Sequence, residues 1–128
     1  MSIAAWMTDA RVIIAEDRLE QAYQAIKSAY TSNTIPYYGD QLYLNDLLSQ
    51  PDLASFFQKK LYAVERKEGI VSIGKGDMDR INDELCKLFE TLAPFIEPGG
   101  YIHIEDEEEQ YFNLSFDGDM VRYEGNAY

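Results

Sequence analysis

The chain contains one cysteine, one histidine and one tryptophan among its 128 residues. A single thiol, Cys86, excludes an intrachain disulfide. A single imidazole, His103, leaves no histidine pair for a metal centre and only one candidate for a nucleophile–histidine–acid relay. Bases are also scarce, with 11 Lys and Arg against 23 Asp and Glu, a formal charge of −12. That balance argues against direct nucleic-acid binding, which depends on Lys and Arg replacing condensed counterions. No run approaches the roughly 20 apolar residues of a membrane span, so no membrane partner is expected. The opening MSIAAWMTDAR lacks the basic region and apolar core of a secretory signal, and the expected compartment is the cytoplasm.

The stretch from Gly100 to Glu124 is the most informative part of the chain. Asp117-Gly118 signals a two-residue type I′ hairpin, which needs positive φ at both positions. That turn places Phe116 opposite Asp119, Leu114 opposite Val121 and Phe112 opposite Tyr123. Phe112, Leu114, Phe116, Val121 and Tyr123 then share one apolar face. A third strand, Tyr101 to Ile104, joins through a loop centred on Glu107, with Ile102 opposite Phe112. Ile102 and Ile104 extend the apolar face, while Tyr111, Asn113, Ser115, Met120 and Arg122 take the other. The first turn of this meander carries Glu105, Asp106, Glu107, Glu108 and Glu109 in an unbroken row.

Upstream, Ile3 to Ile14 alternates as an extended segment with an irregularity at Asp9-Ala10. Glu16 to Tyr30 has the helical stripe Leu19, Tyr23, Ile26 and Tyr30. Thr31 to Asp40 reads as a loop. Asn45 to Ser49 and Asp52 to Gln58 read as short helices, with Pro51 in the first turn of the second. Leu61 to Lys67 and Ile70 to Gly74 form a hairpin around Glu68-Gly69, pairing Val64 with Ile73 and Arg66 with Val71. Asp77 is positioned to cap a helix reaching about Ala93, with Met78, Ile81, Leu85, Leu88, Phe89 and Leu92 as its stripe. The expected architecture is one α+β domain over residues 1–128. Its mainly antiparallel sheet, with the three-stranded meander at the C-terminus, is covered on one face by two principal helices.

Ala93-Pro94-Phe95-Ile96 followed by Gly100-Tyr101-Ile102, an acidic turn, the aromatic strand at Tyr111-Phe112 and a short final strand resembles the C-terminal segment of small uncharacterised bacterial and phage α+β proteins. Those residues are packing and turn positions. The resemblance implies a fold and transfers no activity.

Charge is unevenly spread. From Glu97 onward there are nine acids and one base, Arg122. Such a surface attracts and steers a basic protein partner, including one that itself binds nucleic acid. Tyrosine offers large contact area with few rotatable bonds, and the chain has ten. The expected function is a non-enzymatic binding or inhibitor protein, of the physical type seen in phage anti-defence inhibitors and nuclease immunity proteins. Glu105 to Glu109 supply charge, Asp117, Asp119 and Glu124 extend it, and Tyr111, Tyr37 and Tyr38 serve as anchors. The alternative is a small-ligand or metal-binding regulatory domain using a pocket between the 31–43 loop and the sheet. No cofactor or metal is expected: the acidic run lacks EF-hand spacing, and Gly74-Lys75-Gly76-Asp77 lacks the spacing of a phosphate loop.

Overall fold

The computed structural model describes residues 3–78 and 80–126. Its longest strand, β1 (Ala5–Ala15), runs through the middle of the molecule. Ala5 and Met7 point inward before a break, and Val12 and Ile14 after it. The inward set changes from odd to even because one extra residue, Thr8, stands between the Met7–Ile104 and Asp9–His103 pairs. The bulge thus falls one place before the irregularity indicated by Asp9-Ala10.

Around β1 assemble β2 (Val64–Lys67), β3 (Ile70–Ile73), β4 (Tyr101–Asp106), β5 (Tyr111–Phe116) and β6 (Val121–Gly125). They form one six-stranded sheet in the order β2-β3-β1-β4-β5-β6, with every pairing antiparallel. The β2–β3 hairpin has the expected register, Val64 to Ile73 and Arg66 to Val71. Its turn residues Glu68 and Gly69 have φ of 54° and 81°, the two positive values that a type I′ turn requires.

The meander keeps its predicted faces, but both of its registers are displaced by two residues. Phe116 pairs with Val121 and Leu114 with Tyr123, so residues 117–120 form a four-residue loop. Only Gly118 within it has positive φ, 99°, and the type I′ turn expected at Asp117-Gly118 does not form. Instead Asp117 Oδ1 accepts the amides of Asp119 at 3.0 Å and Met120 at 2.9 Å, closing a wider loop. The preceding turn behaves alike: Ile102 pairs with Leu114 and Ile104 with Phe112. A two-residue displacement preserves side-chain parity, so the apolar face survives. Tyr123 leaves the core it was assigned to and is 41% exposed, its ring stacked on Phe112 at 5.4 Å.

The helices are α1 (Leu19–Thr31), α2 (Gln41–Leu48), α3 (Leu53–Lys59) and α4 (Asp83–Leu92), all packed against the sheet. A single 3-10 turn, Glu16–Arg18, leads into α1. Asp52 caps α3, accepting the Ser55 amide at 2.8 Å, and Pro51 therefore lies before the helix rather than within its first turn. Asp77 does not cap α4. Residues 74–77 remain extended because they bond to 61–63 through Ala63 N–H to Lys75 O, Gly74 N–H to Ala63 O and Asp77 N–H to Leu61 O. Asn82 takes the cap instead, accepting the Leu85 amide, and Met78 and Ile81 pack on the core from outside the helix.

The core lies between the helix layer and the inward sheet face. Phe89 is fully buried, its ring within about 6 Å of Phe57, Tyr62 and Phe116. Phe89→Ala is expected to cost about 3–5 kcal/mol, measured by chemical denaturation. A loss under about 1 kcal/mol would place Phe89 at a surface-like site.

Asp52 provides a pH test. Partial burial pushes its carboxyl up, but the Ser55 amide and hydroxyl and the Arg66 guanidinium outweigh this and hold it below its ordinary value. A depressed folded-state value gives stability that is present above the unfolded carboxylate range and lost as pH falls through the folded value. Asp52→Asn keeps a capping oxygen and loses the charge. Its deficit against the parent chain, under about 1 kcal/mol for a half-exposed pair, should shrink below about pH 4. A deficit that stays constant from neutral to acid pH would show that Arg66 contributes nothing through charge.

Candidate functional site

All four helices pack on one side, so the outward side chains of the sheet face solvent. The registers arrange them in rows across the strands. Trp6 stands beside Glu105, and Glu105 beside Tyr111. The next row is Asp9, His103, Asn113 and Glu124, and the third is Arg11, Tyr101, Ser115 and Arg122. Tyr101 leans on His103, with ring centroids 4.7 Å apart, and its hydroxyl donates to Asp9 Oδ2 at 3.1 Å. That hydrogen bond to a carboxylate pushes the Tyr101 phenol up from its ordinary pKa. Thr8 in the bulge donates its hydroxyl to the His103 carbonyl, tying the irregular part of β1 to β4.

The acidic run does not present five equivalent charges. Glu105 lies on the open face, while Asp106 alternates inward and is only 2% exposed. Asp106 Oδ1 accepts the Glu108 amide at 2.9 Å and the Gln110 amide at 3.0 Å. Its backbone exchanges further bonds with Gln110 and Glu109, and Glu109 takes a positive φ of 62° to complete the turn. Asp106 is thus a structural carboxylate, which corrects its assignment to the contact surface. Glu107 is exposed but engaged, its Oε1 accepting the Ala4 amide while its own amide donates to the Ala4 carbonyl. Glu108 and Glu109 project at the tip.

The remaining expected site residues separate into three places. Tyr111 and Glu124 join Glu105 and the tip, because β6 runs back until Gly125 pairs with Phe112. Asp117 and Asp119 lie at the other end of β5, about 20 Å away along the strand. There Asp117 Oδ2 also accepts from Arg122 Nε at 3.3 Å. Tyr37 and Tyr38 sit between α1 and α2 in the helix layer, on the opposite side of the sheet. Tyr38 is 87% exposed, whereas Tyr37 is half-buried, with its ring edge-on to Tyr30 and its hydroxyl donating to the Asp40 carbonyl.

Trp6, 44% exposed beside Glu105, is an exposed aromatic absent from the expected set. The alternation of residues 3–8 already placed it opposite Ala5 and Met7, and a surface tryptophan within an acidic patch was the available signal. Cys86 is a packed thiol, pushed up by burial and then by Glu90 and Asp83. Among the described residues, no three or more His, Cys, Asp or Glu side chains gather in a metal-binding group. No described helix is long and apolar enough to cross a membrane.

A cleft of about 590 Å³ opens in the helix layer between Tyr37 and Tyr43 on one side and the start of α4 on the other. The alternative reading located a pocket between the 31–43 loop and the sheet. Here α4 and residues 60–62, rather than the sheet, form its second wall. Comparisons with family models, curated proteins and solved structures find no match to this chain.

The turn geometry separates structural from surface acids. Asp106→Ala leaves two amides of a buried turn without their acceptor and should cost about 1–3 kcal/mol. Glu108→Gln with Glu109→Gln should stay within about 0.5 kcal/mol of the parent chain. Chemical denaturation distinguishes them, and equal effects from both changes would mean that the Asp106 bonds do not hold the turn.

Proposed function

We propose that this chain is a non-enzymatic docking protein that covers a basic surface of a partner protein, including a surface by which that partner holds nucleic acid. The observation that carries this reading is the co-location of Trp6, Glu105, Tyr111 and Glu124 with the Glu108–Glu109 tip at one end of an uncovered sheet face. An exposed tryptophan and a half-buried tyrosine supply contact area at low entropic cost. Four surrounding carboxylates supply long-range attraction for Lys and Arg. Within the outward rows of the open face the bases stand away from this end: Arg11 and Arg122 are in the third row, and Arg122 is engaged by Asp117. The contact set is therefore Trp6, Glu105, Glu108, Glu109, Tyr111 and Glu124. Asp117 and Asp119 add to the field from a distance, and Tyr37 and Tyr38 face elsewhere.

The test starts from the partner captured in the source cell and identified by native mass. Trp6 is the only tryptophan in the chain, so its fluorescence reports docking at this face directly. Glu105→Gln, Glu108→Gln, Glu109→Gln and Glu124→Gln together leave the turn bonds of Asp106 and Glu107 in place. Association of that variant should slow at least about tenfold at low salt and lose most of its salt dependence. Trp6→Ala should mainly accelerate dissociation. An unchanged on-rate and salt slope, or an unaltered Trp6 emission on binding, would exclude this face as the contact.

A further inference from the structure

The helix-layer cleft has a chemistry unrelated to the sheet face. At its floor Glu84 Oε2 accepts the Tyr30 hydroxyl at 2.8 Å and Lys60 Nζ at 3.3 Å. The Lys60 and Glu84 side chains are only 20% and 19% exposed. The lining is mixed: Leu61 and the partly exposed Met78 offer apolar surface beside the Tyr43 ring, Asn82 is polar, and Tyr62, Leu85 and Leu88 are almost fully buried behind it. Tyr62 is held edge-on against Phe57 at 5.1 Å, while Leu85 and Leu88 come from α4. At the mouth, the Tyr37 and Tyr43 hydroxyls are occupied by the carbonyls of Asp40 and Lys59.

A mostly buried ion pair is a poor way to stabilise such a layer. Desolvation of the two ions offsets most of their attraction, and apolar replacements of similar size serve a fold as well or better. Tyr30 needs an acceptor for its buried hydroxyl, which accounts for Glu84 but not for Lys60. Both ions also have bonding capacity to spare. An ammonium has three donors and a carboxylate about four acceptor positions. Both contacts to Glu84 converge on Oε2, and among the described residues no hydrogen bond is made to Oε1.

These constraints select a ligand by charge. A simple anion meets Glu84, a simple cation meets Lys60, and a neutral molecule leaves both ions desolvated without a new partner. A molecule carrying an ammonium and a carboxylate a few ångströms apart matches the pair in reverse. We infer that the cleft binds the zwitterionic head group of a free amino acid, with its ammonium on Glu84 and its carboxylate on Lys60, and its apolar or aromatic side chain against Leu61, Met78 and the Tyr43 ring. The volume, about 590 Å³, lies within the usual range for small-molecule sites.

Calorimetric titration of the intact chain with L-phenylalanine and L-leucine, alongside N-acetyl-phenylalanine and phenylalaninamide, tests this. The free amino acids should bind saturably with one site per chain, and each blocked derivative should bind at least about tenfold more weakly. Lys60→Met should abolish discrimination against the amide, which lacks the carboxylate, while keeping discrimination against the N-acetyl form. Glu84→Gln should do the reverse. If that variant does not fold, Lys60→Met and the derivative series on the parent chain still decide the matter. Absence of saturable binding by either free amino acid up to about 10 mM, an affinity near −3 kcal/mol, would overturn the inference. So would equal binding of the blocked and free forms. Trp6 lies on the sheet face, so its emission should not respond to these ligands, and failure here leaves the docking surface unaffected.

Discussion

The structure depends on β1 serving two neighbours with opposite demands. Its C-terminal part, Val12 to Ala15, pairs with β3, and its N-terminal part, Ala5 to Arg11, pairs with β4. Both partners must turn apolar side chains to the same helix layer. A regular eleven-residue strand with this sequence cannot do that, because Ala5 and Met7 have odd parity and Val12 and Ile14 even parity. The extra residue at Thr8 reconciles them. It also displays Trp6 on the open face, in the same row as Glu105 and Tyr111. The irregularity that permits the core therefore also composes the proposed contact surface.

The limits of what was legible in the sequence have a physical pattern. Parity was readable wherever hydrophobic alternation was strong, so the inward faces of β4 and β5 were assigned correctly. The β2–β3 register was readable because Glu68 and Gly69 adopt the backbone geometry that a two-residue turn demands. The meander registers were not readable because each is set by an aspartate side chain. Asp106 and Asp117 gather backbone amides two to four residues ahead and lengthen their loops by hydrogen bonding that alternation does not encode. The start of α4 was hidden for a related reason. The apolar spacing of Met78 and Ile81 suits a helix, but the backbone of 74–77 is committed to residues 61–63, and tertiary bonding overrides local pattern.

The same aspartate chemistry reshapes the candidate site. Five consecutive acids suggest one block of charge, yet alternation in β4 sends Asp106 inward, and its two amide contacts turn a repulsive cluster into an ordered tip. Glu107 is fastened to Ala4 at the beginning of the chain. The acids that remain available, Glu105, Glu108 and Glu109, are held by a turn that the other two define. Recognition elements borne on an ordered turn lose less entropy on binding than a flexible acidic tail would. The site was thus legible as charge and illegible as geometry, and the cleft around Glu84 gave no sequence signal because Tyr30, Lys60 and Glu84 meet only through tertiary packing.

The open face is also graded along its strands. The row nearest the tip holds Trp6, Glu105 and Tyr111, the next adds Asp9 and Glu124 beside His103, and the third carries Arg11 and Arg122. With Glu108 and Glu109 beyond the first row, acids outnumber bases most strongly at that end of β4, β5 and β6. A uniform acidic surface attracts a basic partner without choosing its orientation, whereas a graded one favours approach over its more acidic end. Aromatic area is concentrated at the same end, so the strongest attraction and the best packing surface coincide. In the proposed docking, a partner that follows the charge would meet Trp6 and Tyr111. The cleft proposed to take an amino acid lies on the covered side of the sheet, so the two proposed sites do not compete for one surface.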